Sequence, residues 1–219
     1  MAAIVTFIGW HDSGKTTLAT RVVSHLKEMG YNVAVIKSSS EVDIEFDTPG
    51  TDTYKHREAG ADSVALVAPD KVVLQSFNSG ASLQTMAHRF FPDADIVIGE
   101  GFKSASKIAK IEVACNKDQK LRKEVHGVIA VATNVEGVTG DYIFRLDESY
   151  EIASFIEKRF IAENTAKNEL VSLIVNGTQV PLKDFIQRSL AGTVHGYINS
   201  LKVTPEIEEI ELSIKFKRT

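Results

Sequence analysis

The residues best placed to do chemistry lie near the start of the chain. Gly9-Trp10-His11-Asp12-Ser13-Gly14-Lys15-Thr16 fits the spacing G-x-x-x-x-G-K-[ST], which predicts a loop whose successive backbone N–H groups turn inward around phosphate oxygens. Glycine at 9 and 14 permits a backbone that a side chain would obstruct, and His11, Asp12 and Ser13 complete the loop between them. Lys15 then reaches the β and γ phosphates as a mobile point charge, and the Thr16 hydroxyl is a ligand for Mg²⁺. A helix starting here adds its partial positive charge.

Such a loop needs a carboxylate elsewhere for the metal, usually where an apolar strand ends. Asp95-Ile96-Val97-Ile98-Gly99-Glu100-Gly101 supplies one. Glu100 is the first candidate for the Mg²⁺-linked acid, directly or through water, and Asp95 at the strand's start is the second. A solvated acid after a strand is the plain alternative for Glu100. Residues 37–52 are too long and polar for a simple connector and carry Glu41, Asp43, Glu45 and Asp47. They occupy the position of a switch, in which Asp47, before Thr48-Pro49-Gly50, orients water or metal and Asp52 caps the next helix. A bare acidic loop reads equally well.

Base recognition has a weaker signal. Asn116-Lys117-Asp118-Gln119 nearly matches the guanine signature N-K-x-D, but Gln119 replaces the acid that accepts the guanine N–H groups, so we read a chance match in a polar turn. Thr133-Asn134, after an apolar strand, is an alternative place beside a base. The histidines show no ligand spacing, and Trp10 is either a floor for a ligand or packing within its loop.

These groups need elements to hold them. Residues 3–8 are a continuous apolar run, the pattern of a strand covered on both faces in a parallel sheet. From 16 to 29 the apolar positions Leu18, Val22, Val23, Leu26 and Met29 recur at helical spacing and Gly30 marks the stop. The pattern continues with a strand at 33–36, a helix at 54–59 and strands at 63–68 and 72–77 around Pro69-Asp70. A helix at 83–91, buried strands at 95–99, 108–114 and 128–132, and an amphipathic helix at 148–161 follow. The alternation predicts an α/β fold with a mostly parallel sheet flanked by helices.

Around 162–169 the chain turns polar, which we read as a linker. Beyond it, 170–175 and 179–182 flank the hairpin signal Asn176-Gly177. Residues 185–190 and 194–201 look helical, and Ile210, Leu212, Ile214 and Phe216 alternate with polar residues as in a half-buried strand. We expect a nucleotide-binding domain over residues 1–166 and a small C-terminal α+β module over 167–219. At about fifty residues such a module lies near the lower limit for folding alone, so it should lean on the first domain or on a second copy.

The chain's 219 residues accommodate one domain and an appendage, at about 150 residues per domain. With 43% hydrophobic and 25% charged residues and a net charge of -4, it has globular composition and no basic stripe, which argues against nucleic acid as a partner. An anionic ligand must therefore be held locally, by the loop amides and Lys15. No segment approaches the roughly 18 apolar residues of a membrane span, and the N-terminal run lacks a basic leader, so a cytoplasmic protein is expected. The single cysteine, Cys115, excludes an intramolecular disulfide and a multi-cysteine metal site.

Together these motifs resemble the molybdopterin-guanine dinucleotide biosynthesis protein B family. The resemblance runs through residues 9–17, through Val35-Ile36-Lys37, through residues 47–53 with Arg57-Glu58-Ala59-Gly60-Ala61, and through Glu100-Gly101-Phe102-Lys103 with Lys110-Ile111. It covers most of residues 1 to 160. It implies a P-loop NTPase fold and a Mg²⁺-dependent GTP-binding protein with weak GTPase activity, usually a homodimer. Such a protein assists a guanylyltransferase partner in attaching GMP to molybdopterin, and molybdopterin or molybdoenzyme maturation factors are further expected partners. Residue by residue, Gly9, Gly14, Lys15, Thr16 and Thr17 match the nucleotide loop, Glu100 the strand-end acid, and Lys37 and Asp47 positions lining the same cleft. Lys15, Asp47 and Glu100 are thus the candidate catalytic groups. The chain departs from the family at Ser38-Ser39-Ser40, where histidines are common, and at Thr51, where a lysine is common. The tail from Glu169 looks like an extra module found on some members.

Other function classes share this scaffold. A small-molecule kinase needs a lid of several arginines, and a metallocentre-insertion GTPase needs Cys or His clusters; the sequence shows neither. A nucleotide-gated adaptor without catalysis has the same sequence signature as a slow GTPase. Slowness itself is expected, since no arginine finger or glutamine is evident in cis, a lack that costs on the order of 10³-fold or more.

Overall fold

A computed structural model describes residues 2–42, 44–78, 80–116, 121–162, 170–175, 178–201, 207, 209–212 and 214. The chain opens with β1 (Ala3–Gly9), α1 (Lys15–Glu28) and β2 (Val33–Lys37). Later come β5 (Ile96–Glu100), β6 (Ala109–Ala114), β7 (Val128–Thr133) and the short β8 (Ile143–Phe144). These strands form one sheet in the order β2-β5-β1-β6-β7-β8, parallel at every pairing. The apolar runs of β1 and β5 are buried on both sides because helices cover both faces, the arrangement expected of parallel sheets.

On one face, Val5, Phe7, Ile98 and Ile111 pack into a single core with Leu18, Val22 and Leu26 of α1 and Ile152 and Ile156 of α4 (Ser149–Ile156). His25 of α1 meets Ser149 of α4 at 3.2 Å, tying the two helices together. The helix read over 148–161 is thus α4 followed by a π turn, Glu157–Ile161. On the opposite face, Ala87 of α3 (Leu83–Phe90) packs with Val97, Ala34 and Ile36.

Between these parts lie α2 (Asp52–Glu58) and an antiparallel hairpin, β3 (Ser63–Ala68) and β4 (Lys71–Ser76), which forms its own sheet apart from the main one. The hairpin is largely exposed, with Val67 at 75% and Phe77 just beyond it at 83%. The cap of α2 corrects the sequence reading. Thr51, not Asp52, is the N-cap, its hydroxyl accepting from the Tyr54 N–H, while Asp52 is the first helical residue.

Past residue 162, β9 (Ile174–Val175) and β10 (Thr178–Gln179) pair antiparallel as the hairpin signal predicts. The two helical stretches expected at 185–190 and 194–201 are one continuous helix, α5 (Asp184–Ser200). Gly192 and Gly196 do not break it, since neither has a backbone in the left-handed region. The strand expected over 210–216 is not formed at residues 209–212 and 214, where Leu212 and Ile214 are exposed. A period-two pattern becomes a strand only with a partner ladder, and among the described residues none pairs with it. The Asn176-Gly177 turn, the 166/167 boundary, Phe216 and residues 117–119 of the N-K-x-D near-match lie outside the described residues. No helix among the described residues is long and apolar enough to cross a membrane.

Candidate functional site

β1 delivers Gly9 to the carboxyl edge of the sheet between β5 and β6, where the strand order reverses, the place at which open α/β sheets bind their ligands. A Cβ at Gly9 would collide with the Ser13 hydroxyl and lie 2.6 Å from the Val113 carbonyl, so only glycine lets the loop fold this closely. Asp12 and Gly14 take left-handed conformations, with φ of 57° and 83°. Gly14 is also the N-cap of α1 and has no side chain to satisfy the first-turn N–H groups. Those donors are left pointing at the crevice, where an anion fits. Ser13 is buried, His11 and Asp12 pair with each other in solvent at 2.8 Å, and Thr17 is exposed in the first turn.

Lys15 folds back over the loop. Its Nζ donates to the Trp10 carbonyl and lies 3.5 Å from Ser13 Oγ. Burial holds its ammonium below the ordinary lysine value, an effect that Glu100 opposes and the nearby charges of Lys103 and Lys37 reinforce.

Glu100 ends β5 in register with Phe7 of β1 and Lys37 of β2. The period of two puts it on the same face as Ile96 and Ile98, toward α1, which explains how a carboxylate only 8% exposed meets the start of that helix. Thr16 Oγ1 donates to Glu100 Oε1 at 2.5 Å, and Lys37 Nζ is 3.3 Å from the same oxygen. Gly99 lets the strand pass Thr6, whose Oγ1 would be 2.8 Å from an added Cβ. Thr16 and Glu100 thus bring two hard oxygen donors together beside the phosphate loop. Mg²⁺ takes such a set along with phosphate oxygens and water, so these residues fit the ion.

The structure therefore brings together Gly9, Ser13, Gly14, Lys15, Thr16, Lys37 and Glu100. It does not bring Asp95 or Asp47 to them. Asp95 stands before the amino end of β5 and accepts from the Asn32 N–H at 2.7 Å. Asp47 is bound into the start of α2, its Oδ1 accepting from the Thr48 N–H and the Thr51 hydroxyl, each at 2.9 Å. The Thr133 and Asn134 side chains accept from the Val135 and Leu146 amides, which ties the end of β7 to the chain just past β8.

Sequence reasoning assigned no role to Lys103 beside the site or to two charged residues buried in the neighbouring β6. Lys103 lies over the Trp10 ring with its Nζ 4.6 Å from the centroid. Lys110 is 1% exposed and donates to the carbonyls of Ala105, Ile108 and His126. Glu112, equally buried, accepts from the Leu121 N–H and pairs with Arg122 at 3.0 Å. Charges at alternate positions of 108–114 were the available signal, since a central strand has no solvent face to put them on.

Comparison with known proteins gives this geometry a context. The model of the family described as molybdopterin guanine dinucleotide synthesis protein B matches residues 4–134. A putative molybdopterin-guanine dinucleotide biosynthesis adapter protein of Methanocaldococcus jannaschii is 27% identical over 96% of this chain and 97% of its own. The Escherichia coli molybdopterin-guanine dinucleotide biosynthesis adapter protein is 32% identical over 62% of this chain and 80% of its own. A crystal structure of a molybdopterin-guanine biosynthesis protein B superposes with a TM-score of 0.56 at 32% identity, covering 71% of this chain and 98% of that one. The architecture is the P-loop NTPase fold.

Proposed function

Because the chain belongs to the molybdopterin guanine dinucleotide synthesis protein B family, we propose that it acts as an adapter in the biosynthesis of molybdopterin guanine dinucleotide. In this reading it binds GTP with Mg²⁺ at the β1–α1 loop, hydrolyses it weakly and serves a guanylyltransferase partner. The observation that carries the reading is the convergence of Lys15, Thr16 and Lys37 on the buried Glu100 at the mouth of a glycine loop. Loop amides and Lys15 would hold the phosphates, and Thr16 and Glu100 would hold the ion, which neutralises charge on the phosphate oxygens. Asp47 stays a candidate for this cleft only through the family pattern, since its described bonds are to its own segment. A homodimer is part of the proposal. The apolar outer surface of the β3–β4 hairpin, with Val67 and Val72 at 75% and 65% exposure, supports it, because an isolated two-stranded hairpin is marginal in water.

The test is binding of GTP, GDP and ATP to the protein and to Lys15→Ala, with and without Mg²⁺, followed by assay of a molybdopterin guanylyltransferase with and without the protein. GTP should bind better than ATP, Lys15→Ala should lose at least about tenfold in GTP affinity, and the guanylyltransferase should yield more product. Equal ATP binding, undiminished binding by Lys15→Ala or an unstimulated transferase would each defeat the reading.

A further inference from the structure

The site reading leaves one arrangement unexplained. Lys103 rests on the ring of Trp10, which sits inside the phosphate loop and is 43% exposed. The segment carrying Lys103 is held in a defined shape. Gly101, Phe102 and Lys107 all lie in the left-handed region, with φ of 95°, 52° and 57°. Two of these are not glycine, and such backbone persists where the surroundings over-determine it. Here the surroundings are visible. Thr6 Oγ1 donates to the Gly101 carbonyl at 2.9 Å, and the buried Lys110 ammonium ties the Ala105 and Ile108 carbonyls to that of His126.

Lys37 reaches Glu100 from β2, on the side of β5 away from β1. The loop mouth therefore gathers the ammonium groups of Lys37 and Lys103, whose charges both act on Lys15, against the buried Glu100 and the exposed Asp12. Loop amides around the α and β phosphates and a single lysine bridging β and γ are the usual equipment of such a loop. Two further lysines provide for charge beyond that, and a terminal phosphate supplies it. A cation on an exposed ring is held weakly, whereas an ammonium on a phosphate makes a charge-assisted hydrogen bond. Lys103 on Trp10 is thus parked one short movement from the phosphate loop.

We infer that Lys103, together with Lys37, reads the terminal phosphate of the bound nucleotide and so makes this chain discriminate triphosphate from diphosphate. This rests on the reading of the loop as a nucleotide site. It also places within the chain a share of the positive charge that many P-loop proteins take from an arginine.

Trp10 is the single tryptophan of the chain, so its emission reports this contact directly. The full chain, its Lys103→Met, Lys103→Arg and Lys37→Met variants are titrated with GTP and with GDP in Mg²⁺, reading both affinity and Trp10 emission. In the wild type GTP should bind more tightly than GDP and change the emission in a way GDP does not. Lys103→Met should lose about tenfold for GTP and less than about twofold for GDP, and the emission difference should vanish. Lys103→Arg should restore both, and Lys37→Met, on a different strand, should narrow the GTP-to-GDP ratio independently. Equal weakening for both nucleotides, or an unchanged ratio in both methionine variants, overturns the inference while leaving the nucleotide site intact. A wild type that binds neither nucleotide overturns the site reading and the inference together.

Discussion

The central sheet presents two faces built from alternate residues of the same strands. On the face toward α1 and α4, Val5, Phe7, Ile98, Ile111 and Val113 are sealed from solvent by apolar neighbours. On the other, the intervening Thr6, Lys110 and Glu112 are as deeply buried, yet each gives its polar atoms to a loop. Thr6 holds Gly101, Lys110 holds the segment from Ala105 to Ile108 against His126, and Glu112 holds Leu121 and Arg122. Apolar burial stabilises whatever the detail of the partners. A buried charge stabilises little in itself and is costly once a partner is removed. The first face therefore carries the main core, and the other, beside its smaller apolar cluster around Ala87 and Val97, ties down the segments that flank β6.

Neighbouring residues of β6 test that division most strongly. Ile111→Ala should cost about 3 kcal/mol, the ordinary loss for a fully buried aliphatic side chain. The urea midpoint should fall while Trp10 emission in the native baseline, which reports the Lys103 contact, stays as in the wild type. If that emission changed, the two faces would not be separable. Lys110→Met keeps the length of the side chain but leaves three carbonyls without their donor, a cost of about 2 kcal/mol. Here the emission should change, because the segment carrying Lys103 loses its clamp.

The same variant has a pH signature. Burial lowers the Lys110 pKa in the folded protein, so the unfolded chain binds more protons just below the ordinary lysine range. Wild-type stability should accordingly rise as pH climbs through that window. Lys110→Met should flatten the rise, leaving the part due to Lys15, whose pKa is lowered as well. An identical pH profile in the two proteins would show that the ammonium is not confined as the geometry implies.

The apolar face was legible in the sequence and the polar face was not. Residues 3–8, polar only at Thr6, and 96–98 are hydrophobic runs, and Leu18, Val22 and Leu26 repeat at helical spacing, so the hydrophobic pattern alone placed β1, β5 and α1. The glycine loop and Glu100 were legible for the same reason, since each sits where such an element ends. Lys110 and Glu112 were not, because a charge inside a strand reads as solvent-facing until the strand order shows β6 between β1 and β7. Lys103 fell inside a recognised motif, but its contact with Trp10 depends on three left-handed residues that no spacing rule encodes. Asp52 and Thr51 are both cap-forming residue types, and only the geometry of the Thr51 hydroxyl, which accepts from the Tyr54 N–H, decides between them.

Asp47 supplies the smallest test, and it probes a polar network outside the sheet altogether. The hydroxyl of Thr53 does most to hold its carboxyl below the usual carboxylate range, with Thr51, the Thr48 N–H and the Arg57 charge acting the same way and desolvation opposing. A carboxyl with a lowered folded pKa contributes stability that is complete above its unfolded value and is lost as pH falls through the folded one. The amide resonances of Thr48, Thr51 and Tyr54 should therefore move together below the ordinary carboxylate range, with the global unfolding midpoint little changed. Asp47→Asn should abolish that titration. Asp47 is half-buried, with Oδ2 out of contact with solvent, but Thr48 and Thr51, which donate to Oδ1, lie in the same exposed segment, so the effect should stay within the first turn of α2. Should acid instead disturb Trp10 or the β5–β6 segment, Asp47 would be coupled to the nucleotide crevice, and the division between sheet faces would have to include the 37–52 loop.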